Sequence, residues 1–218
     1  MKNITVKMVL FWLCLASTAS AQQIHSAYFM IEDFKSHIRL LELTVQDFII
    51  TIDGEGNIIA TTSLRRSDKQ TSDIDFDIYG RPSPNQGLKI EEYNDFDNNK
   101  AGKIKSINGI DVDYYSNFDI HDIPGKIKSI GNIIFKYNNS FDIHDQQGTL
   151  KSIGNINIKY NTNFDLREIK GTLKSIGPVE IGWHTGMQLG RSKGRIKFIR
   201  GNTRAVYVAK LTGHRGFE

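Results

Sequence analysis

One 23-residue pattern recurs along this chain, and it restricts the fold more than any other feature of the sequence. Each copy begins with a glycine that is followed three residues later by Lys-Ser-Ile, and these glycines are Gly102, Gly125, Gly148 and Gly171. A tyrosine and a Phe-Asp pair keep the same register, at Tyr114, Tyr137 and Tyr160 and at Phe118, Phe141 and Phe164. A period kept at so many positions predicts an array in which neighbouring units stabilise one another.

Alternation of apolar and polar residues predicts that each unit forms strands. In the third unit, residues 150–160 fit one long strand that bends near Gly154. A turn at 161–163 would then return the chain as a short antiparallel strand over 164–166. The expected fold is therefore all-β, a repetitive antiparallel β-meander with two strands per 23-residue repeat.

The predicted pairing places the loop phenylalanines inside the protein. It sets Tyr160 opposite Phe164, so that Phe118, Phe141 and Phe164 all belong to the apolar face. On the other side, a turn at residues 146–147 sets Asp142 opposite Lys151. Apolar residues thus face apolar ones and opposite charges face each other, as stable strand pairs require.

The sequence divides into four segments. We expect a signal peptide at 1–21, an N-terminal cap region at 22–72, the repeat array at 73–177 and a basic C-terminal capping hairpin at 178–218. The array is extended back to residue 73 because 76–79 and 93–97 resemble shortened copies of its Phe-Asp strand.

Two predictions concern the cap region. Apolar residues recur at helical spacing over 27–41, which favours a short N-terminal helix, with a strand over 38–45 as the alternative. Residues 48–52 and 57–61 alternate around the turn 53–56 and predict a hairpin. Residues 63–72 and 81–86 are poor in apolar side chains or contain proline, and we expect them to be loops.

The C-terminal capping hairpin would be formed by residues 195–199 and 205–211. Gly201 and Asn202 supply residues suited to its turn.

The first residues have the features of a secretory signal. Lys2 and Lys7 precede an apolar run at 8–16, and Ala19-Ser20-Ala21 supplies small residues before Gln22. We therefore expect an exported protein, periplasmic or extracellular. The single cysteine, Cys14, falls within this signal, so the mature chain would have no disulfide and no thiolate metal site.

Charge argues against a nucleic-acid partner. The chain has 28 basic and 24 acidic residues, and removal of the signal leaves 26 and 24, a formal charge of +2. Nucleic-acid-binding proteins usually have a stronger basic bias. The excess is local, because residues 178–218 contain eight basic and two acidic residues.

Two groups of side chains are candidates for binding. The first is a ladder of Asp119, His121, Asp142 and His144, which could hold a metal ion if the four lay on one strand face. The alternative is a solvated polar face whose aspartates pair with lysines, and the third copy favours it because it has Arg167 in place of histidine.

The second candidate is the basic group Arg195, Lys197 and Arg200, which could bind an acidic glycan, an anionic lipid surface or a protein. A merely solvated basic surface is the alternative. No motif predicts a catalytic residue or a cofactor. The function expected is a non-enzymatic structural or binding scaffold, with a metal-dependent enzyme or metal-binding protein as the alternative.

The stretch Asp145-x-x-Gly148-Thr-Leu-Lys-Ser-Ile-Gly154-Asn resembles the turn-and-strand core of MORN-variant β-hairpin repeats, which read Gly-Lys-Leu-Lys-Ser-x-Gly at about this period. The similarity covers residues 102–177, about a third of the chain. Phenylalanines such as Phe141 stand where that family has a Gly-x-Trp. The resemblance implies a repetitive sheet that contacts proteins or lipids, and it transfers no catalytic residue.

Overall fold

The computed structural model describes residues 24–33, 37–64, 88–97, 100–165, 167–186 and 193–211. Within these ranges every regular element is a β-strand, so the predicted all-β class is confirmed. The predicted signal peptide, the shortened copy at 76–79 and most of the two predicted loops lie outside the described residues. The described part of the chain has no helix that is long and apolar enough to cross a membrane.

The N-terminal region and the last strand form a five-stranded sheet. Its strands are β1 (Ile24–Glu32), β2 (Ile38–Val45), β3 (Phe48–Asp53), β4 (Ile58–Ser63) and β15 (Val206–Leu211), in the order β15-β1-β2-β3-β4. Strands β1 to β4 are antiparallel to their neighbours, whereas β15 lies parallel to β1. The predicted hairpin around residues 53–56 is confirmed as β3 and β4.

The predicted N-terminal helix is wrong, and the alternative strand over 38–45 is confirmed. Ala27, Phe29 and Ile31 are completely buried, and the residues between them are half-buried, which is the period of a strand. The apolar content of β1 is high because β1 is an interior strand, bonded on one side to β2 and on the other to β15. The apolar spacing over 27–41 resembled that of a helix because this range takes in part of β1 and the start of β2, which the prediction treated as one element.

The remaining ten strands form one antiparallel sheet in which every strand pairs with the next along the chain. They are β5 (Ile90–Glu92), β6 (Ile104–Ile107), β7 (Ile110–Tyr114), β8 (Ile127–Ile130), β9 (Ile133–Tyr137), β10 (Leu150–Ile153), β11 (Ile156–Tyr160), β12 (Leu173–Ile176), β13 (Val179–Trp183) and β14 (Ile196–Arg200). The expected antiparallel meander is therefore present. Strands β6, β8, β10 and β12 each contain one of the four Lys-Ser-Ile segments.

The boundaries of these strands differ from the prediction. Residues 150–160 form two strands, β10 and β11, joined by a tight turn at Gly154-Asn155, and the described residues 161–165 and 167–172 include no return strand. Gly154 has a φ of +54°, the left-handed value that a type II′ turn needs at its first central position. The first unit instead uses Asn108-Gly109, with φ of +50° and +79°, as a type I′ turn requires.

The lysine of Lys-Ser-Ile is the extra residue of a β-bulge. Ser129 lies opposite Asp113 and Ile127 opposite Tyr114, so Lys128 has no partner in the ladder. The same irregularity occurs at Lys105, Lys151 and Lys174. A bulge shifts the alternation by one residue, so Ile127 and Ile130 are both buried although they are three residues apart.

The predicted C-terminal hairpin is also wrong, although both of its strands exist. Strand β14 pairs with β13, and β15 joins the five-stranded sheet beside β1. The Asn202 side chain accepts a hydrogen bond from the Val208 amide at 2.8 Å and donates one to the Val208 carbonyl at 3.1 Å. These bonds fix the turn before β15, and Val206 and Val208 are buried in the core where β15 pairs with β1.

The apolar faces of the two sheets enclose a single hydrophobic core, whose largest fully buried side chains are Phe29, Phe48 and Phe135. Polar contacts join the sheets at the margins of this core. Asp33 accepts a hydrogen bond from the Ile196 amide at 2.8 Å, and Lys126 donates one to the Glu55 carbonyl at 3.2 Å. The five-stranded sheet thus supports the inner face of the ten-stranded one.

Candidate functional site: a row of exposed phenylalanines

Four long loops lie side by side at one end of the strands of the ten-stranded sheet. They join β5 to β6, β7 to β8, β9 to β10 and β11 to β12, and their described residues are 93–97 with 100–103, 115–126, 138–149, and 161–165 with 167–172. In a meander, alternate connections lie at the same end of the strands, so the tight two-residue turns lie at the opposite end. We call these four loops the loop row.

The loop row exposes a series of large apolar side chains. The phenylalanines Phe96, Phe118, Phe141 and Phe164 are 93%, 92%, 69% and 74% exposed, and Ile120 and Ile143 are similarly open. Six of the ten exposed large hydrophobic residues of the described chain lie here. The predicted burial of Phe118, Phe141 and Phe164 is therefore wrong, because these residues stand at loop tips and not on a strand face.

An aspartate fixes the shape of each of the last three loops. Asp142 accepts a hydrogen bond from the Asn139 amide at 3.0 Å and from the Lys151 ammonium at 2.5 Å. The equivalent pairs Asp119–Lys128 and Asp165–Lys174 measure 2.8 and 2.6 Å. The predicted approach of Asp142 to Lys151 is confirmed, but it joins a loop to a bulge, because residue 142 is not part of a strand.

These contacts hold the aspartates in their ionised form. The Lys128 ammonium, with the amide and hydroxyl of Ser116, lowers the pKa of Asp119 to about 2. Lys151 and the Asn139 amide lower the pKa of Asp142 in the same way. The loop carboxylates therefore form part of the fixed framework that presents the phenylalanines.

Further hydrogen bonds close the bases of the last two loops. The buried amide of Asn138 donates to the Thr149 hydroxyl at 2.8 Å, and Asn161 makes the same contact with Thr172. Backbone bonds between the same residues complete each closure. The loops are thus pinned at base and tip, which suits a surface that meets a partner without large rearrangement.

Histidines connect neighbouring loops. The ring of His121 contacts the ring of Phe141 edge-on at 4.5 Å between centroids, and His144 contacts Phe164 at 4.9 Å. Each histidine therefore extends the apolar surface of its loop toward the next phenylalanine. The last three loops form one continuous surface.

The candidate metal ladder of Asp119, His121, Asp142 and His144 is not assembled on a strand. All four residues lie in loops, and the two aspartates bind lysines. Among the described residues there is no group of three or more histidine, cysteine or carboxylate side chains placed to hold a metal ion.

Charge changes along the loop row. Beyond the lysine-paired aspartates, Asp95, Asp122 and Asp145 add negative charge to the first three loops. The fourth loop differs, because it borders a shallow cavity lined by Arg167, Glu168, Ile169, Lys170, Thr185 and Lys193. The first two loops also contain Lys100, Lys103 and Lys126, whose ammonium groups bond to Asp113 and to the carbonyls of Gly125 and Glu55. Carboxylates that no described lysine bonds thus lie in the loops of the first three phenylalanines, and the basic side chains of the cavity lie at the far end of the row.

The predicted anion-binding residues Arg195, Lys197 and Arg200 lie in or beside β14, the outermost strand of the sheet, and all three are exposed. The Arg200 guanidinium lies over the Phe198 ring at 4.8 Å. Positive charge on an edge strand also discourages pairing with other chains. Anion binding by the three residues stays a prediction.

Sequence reasoning missed the exposed row because it took the phenylalanines as strand residues. The signal that indicates loops is the composition of 138–149, which contains four Asn or Gln, two Asp, one Ser and one Gly. Comparison of the chain with protein-family models, with curated proteins and with solved structures finds no match. The resemblance to MORN-variant repeats stays a prediction.

Proposed function

We propose that the protein is an exported, non-enzymatic binding scaffold and that the loop row is its ligand-contacting surface. The observation that carries the proposal is the exposure of Phe96, Phe118, Phe141 and Phe164, one on each of four successive loops. Large exposed apolar patches on a folded domain mark sites of interaction. Loops held on a rigid scaffold are a common place for such sites.

The phenylalanines contribute little to the fold that contains them. Strand residues such as Phe135 and Tyr137 already fill the core, at 1% and 6% exposure. Phe118 is 92% exposed, so replacing it with a smaller residue would remove almost no buried apolar surface. A contact with another molecule gives these side chains a role that packing does not.

The ionisable groups support a binding role over a catalytic one. Asp119, Asp142 and Asp165 are each paired with a lysine, so these three aspartates serve the loop framework. Burial raises the pKa of Tyr115 to about 12, and its hydroxyl donates to the Phe135 carbonyl. These groups are engaged in hydrogen bonds and ion pairs that stabilise the loops and the core.

A metal-binding or metal-dependent protein remains the alternative, and elemental analysis of the purified protein separates the two. We expect no stoichiometric transition metal and no difference in zinc titration between the parent and the variant His121→Ala/His144→Ala. Tight binding of one metal ion per chain that the double variant loses would replace our proposal with the alternative.

The binding proposal is tested by selecting ligands on the folded protein. Random 12-residue peptides displayed on phage, immobilised glycans and lipid vesicles would each be offered to the parent and to Phe118→Ser/Phe141→Ser/Phe164→Ser. The control is Ile59→Ser/Ile134→Ser, which removes side chains that are 50% and 51% exposed on strands away from the row.

We expect ligands that bind the parent and the control but lose at least tenfold in affinity for the loop variant. Ligands that bind all three proteins equally would contradict the proposal. Export is tested separately by N-terminal sequencing of the secreted protein, which we expect to begin at Gln22.

A further inference from the structure

We propose that the loop row binds an extended, cationic polypeptide segment that carries an apolar side chain at every third position. This inference rests on the proposed function, since it names the class of partner for the same surface. Three features support it: the charge of the first three loops, the distance between successive loops and the change of charge at the fourth loop.

Charge is the first feature. Asp122 and Asp145 are half-buried beside exposed apolar residues, and no lysine of the described ranges bonds to them as Lys128 and Lys151 bond to Asp119 and Asp142. Asp95 is exposed next to Phe96 in the first loop. Carboxylates beside phenylalanine rings favour a ligand that combines positive charge with apolar groups, because complementary charges steer and orient association.

Spacing is the second feature. Successive loops are separated by two strands, and strands lie about 4.8 Å apart, so equivalent phenylalanines recur about every 10 Å. A polyproline II segment rises about 3.1 Å per residue with three residues per turn, and it therefore presents the same face about every 9 Å. Such a segment can place one apolar side chain against each loop in turn, whereas a β-strand repeats its face about every 7 Å.

The charge at the far end of the loop row indicates the direction in which the peptide would bind. Arg167, Lys170 and Lys193 surround the shallow cavity beside the fourth loop, with Glu168 as its acidic member. This end favours an acidic group on the ligand. The bound segment would place its basic residues over the loops of Phe96, Phe118 and Phe141 and an acidic residue near Phe164.

The same charges argue against an anionic membrane as the partner. Binding to the surface of an anionic bilayer favours basic residues around the inserted apolar side chains. In the loops of Phe118 and Phe141, Asp122 and Asp145 are carboxylates that no described lysine bonds, whereas Lys128 and Lys151 are paired with Asp119 and Asp142. A cationic peptide satisfies both the apolar and the acidic parts of the surface.

Four fluorescein-labelled 12-residue peptides test the inference by fluorescence anisotropy with the whole protein. The first repeats Leu-Lys-Pro, the second Leu-Glu-Pro, the third Leu-Ser-Pro, and the fourth alternates Leu and Lys with no proline. We expect the Leu-Lys-Pro peptide to bind at least tenfold more tightly than the Leu-Glu-Pro peptide and more tightly than the alternating peptide.

Two variants assign the interaction to the row. Asp95→Asn/Asp122→Asn/Asp145→Asn should weaken the Leu-Lys-Pro peptide about tenfold and leave the Leu-Ser-Pro peptide unchanged. Phe118→Ser/Phe141→Ser/Phe164→Ser should weaken both. Raising the salt concentration should weaken the two lysine-containing peptides, leave the Leu-Ser-Pro peptide unchanged and not weaken the Leu-Glu-Pro peptide, because screening reduces both attraction and repulsion between exposed charges.

The outcomes separate this inference from the proposed function. Equal affinity for the Leu-Lys-Pro and Leu-Glu-Pro peptides, tighter binding of the alternating peptide, or no peptide binding at all would overturn the inference. If vesicles of phosphatidylcholine with phosphatidylserine bind the parent but not the phenylalanine variant, the row is a binding surface for lipid and only the peptide inference fails. If neither vesicles nor any selected ligand distinguishes that variant, the proposed function fails as well.

Discussion

Phe135 and Phe141 lie six residues apart in the same unit, yet one is 1% and the other 69% exposed. Phe135 is on strand β9 and packs into the core between the sheets. Phe141 stands on a loop whose shape is fixed by Asp142 and its bonds to Asn139 and Lys151. The two phenylalanines show that one repeated sequence can encode a core position and a surface position side by side.

The difference teaches that a regular pattern does not by itself indicate burial. The strand residues recur because every unit contributes to the same core. The residues of the last three loops recur with one shared hydrogen bond, in which the aspartate after the phenylalanine accepts from a backbone amide three residues earlier than itself. The predictions below compare strand positions with loop positions, from the largest expected effect to the smallest.

The largest effect is expected for the two phenylalanines. Phe135→Ala should lower the free energy of unfolding by about 3–5 kcal/mol, because it leaves a cavity in the core. Phe141→Ala should change it by less than about 0.5 kcal/mol, as is usual for exposed positions. Urea denaturation of both variants measures the difference, and similar losses at the two positions would show that the loops are part of the core.

A pair of glycines offers a comparison at the backbone. A Cβ at Gly182, in strand β13, would lie 2.2 Å from Cε1 of Phe198, whereas a Cβ at Gly186 would have no neighbour within 4 Å. We expect Gly182→Ala to destabilise by about 1–3 kcal/mol, because the Phe198 ring must move, and Gly186→Ala to change stability by less than about 0.5 kcal/mol. Thermal unfolding would decide, and an unchanged melting temperature for Gly182→Ala would contradict the packing of β13 against β14.

The loop aspartates should give the protein a dependence on acid pH. The pKa of Asp119 is lowered, so its interactions stabilise the fold above the unfolded-state pKa near 4, and this contribution is lost as the pH falls toward 2. Between these pH values, the free energy of unfolding of Asp119→Asn should fall less than that of the parent protein. Lys128→Gln should behave in the same way. At neutral pH each change should destabilise by no more than about 1 kcal/mol, the range for surface ion pairs. Unfolding curves at pH 5 and pH 2.5 test this, and unaltered pH dependence in both variants would argue against the ion pair.

The smallest effect is expected for the ring contacts between loops. His144 and Phe164 lie 4.9 Å apart between ring centroids, and Phe164 is 74% exposed. A double-mutant cycle with alanine at both positions should give a coupling energy of about 0.5 kcal/mol, near the lower limit for aromatic pairs. A coupling above about 2 kcal/mol would indicate that the row is held together by packing.

Much of the fold is predictable from the sequence because it follows from alternation and turn chemistry. The all-β class, the antiparallel meander and the hairpin of β3 and β4 all follow in this way. Interpretation failed where one residue breaks the alternation. At Lys151 a bulge shifts the faces of the strand, and at Gly154 a tight turn reverses the chain in the middle of what alternation describes as a single strand.

The candidate site is less predictable. The Asp142–Lys151 pair follows from charge complementarity, but its geometry depends on a bulge and a loop that alternation does not describe. Predicting that Phe141 is exposed requires knowing where β9 ends, and the apolar character of Phe141 does not indicate that position. The parallel placement of β15 beside β1 depends on contacts about 180 residues apart, which local patterns do not contain.

The most direct test of the central claim is the stability and ligand binding of Phe118→Ser/Phe141→Ser/Phe164→Ser, measured on the same preparation. The account predicts a free energy of unfolding within about 1 kcal/mol of the parent, as expected for exposed side chains, together with at least a tenfold loss of affinity for ligands selected on the parent. A loss of several kcal/mol, or undiminished binding by a stably folded variant, would contradict the claim that the row serves binding and not the fold.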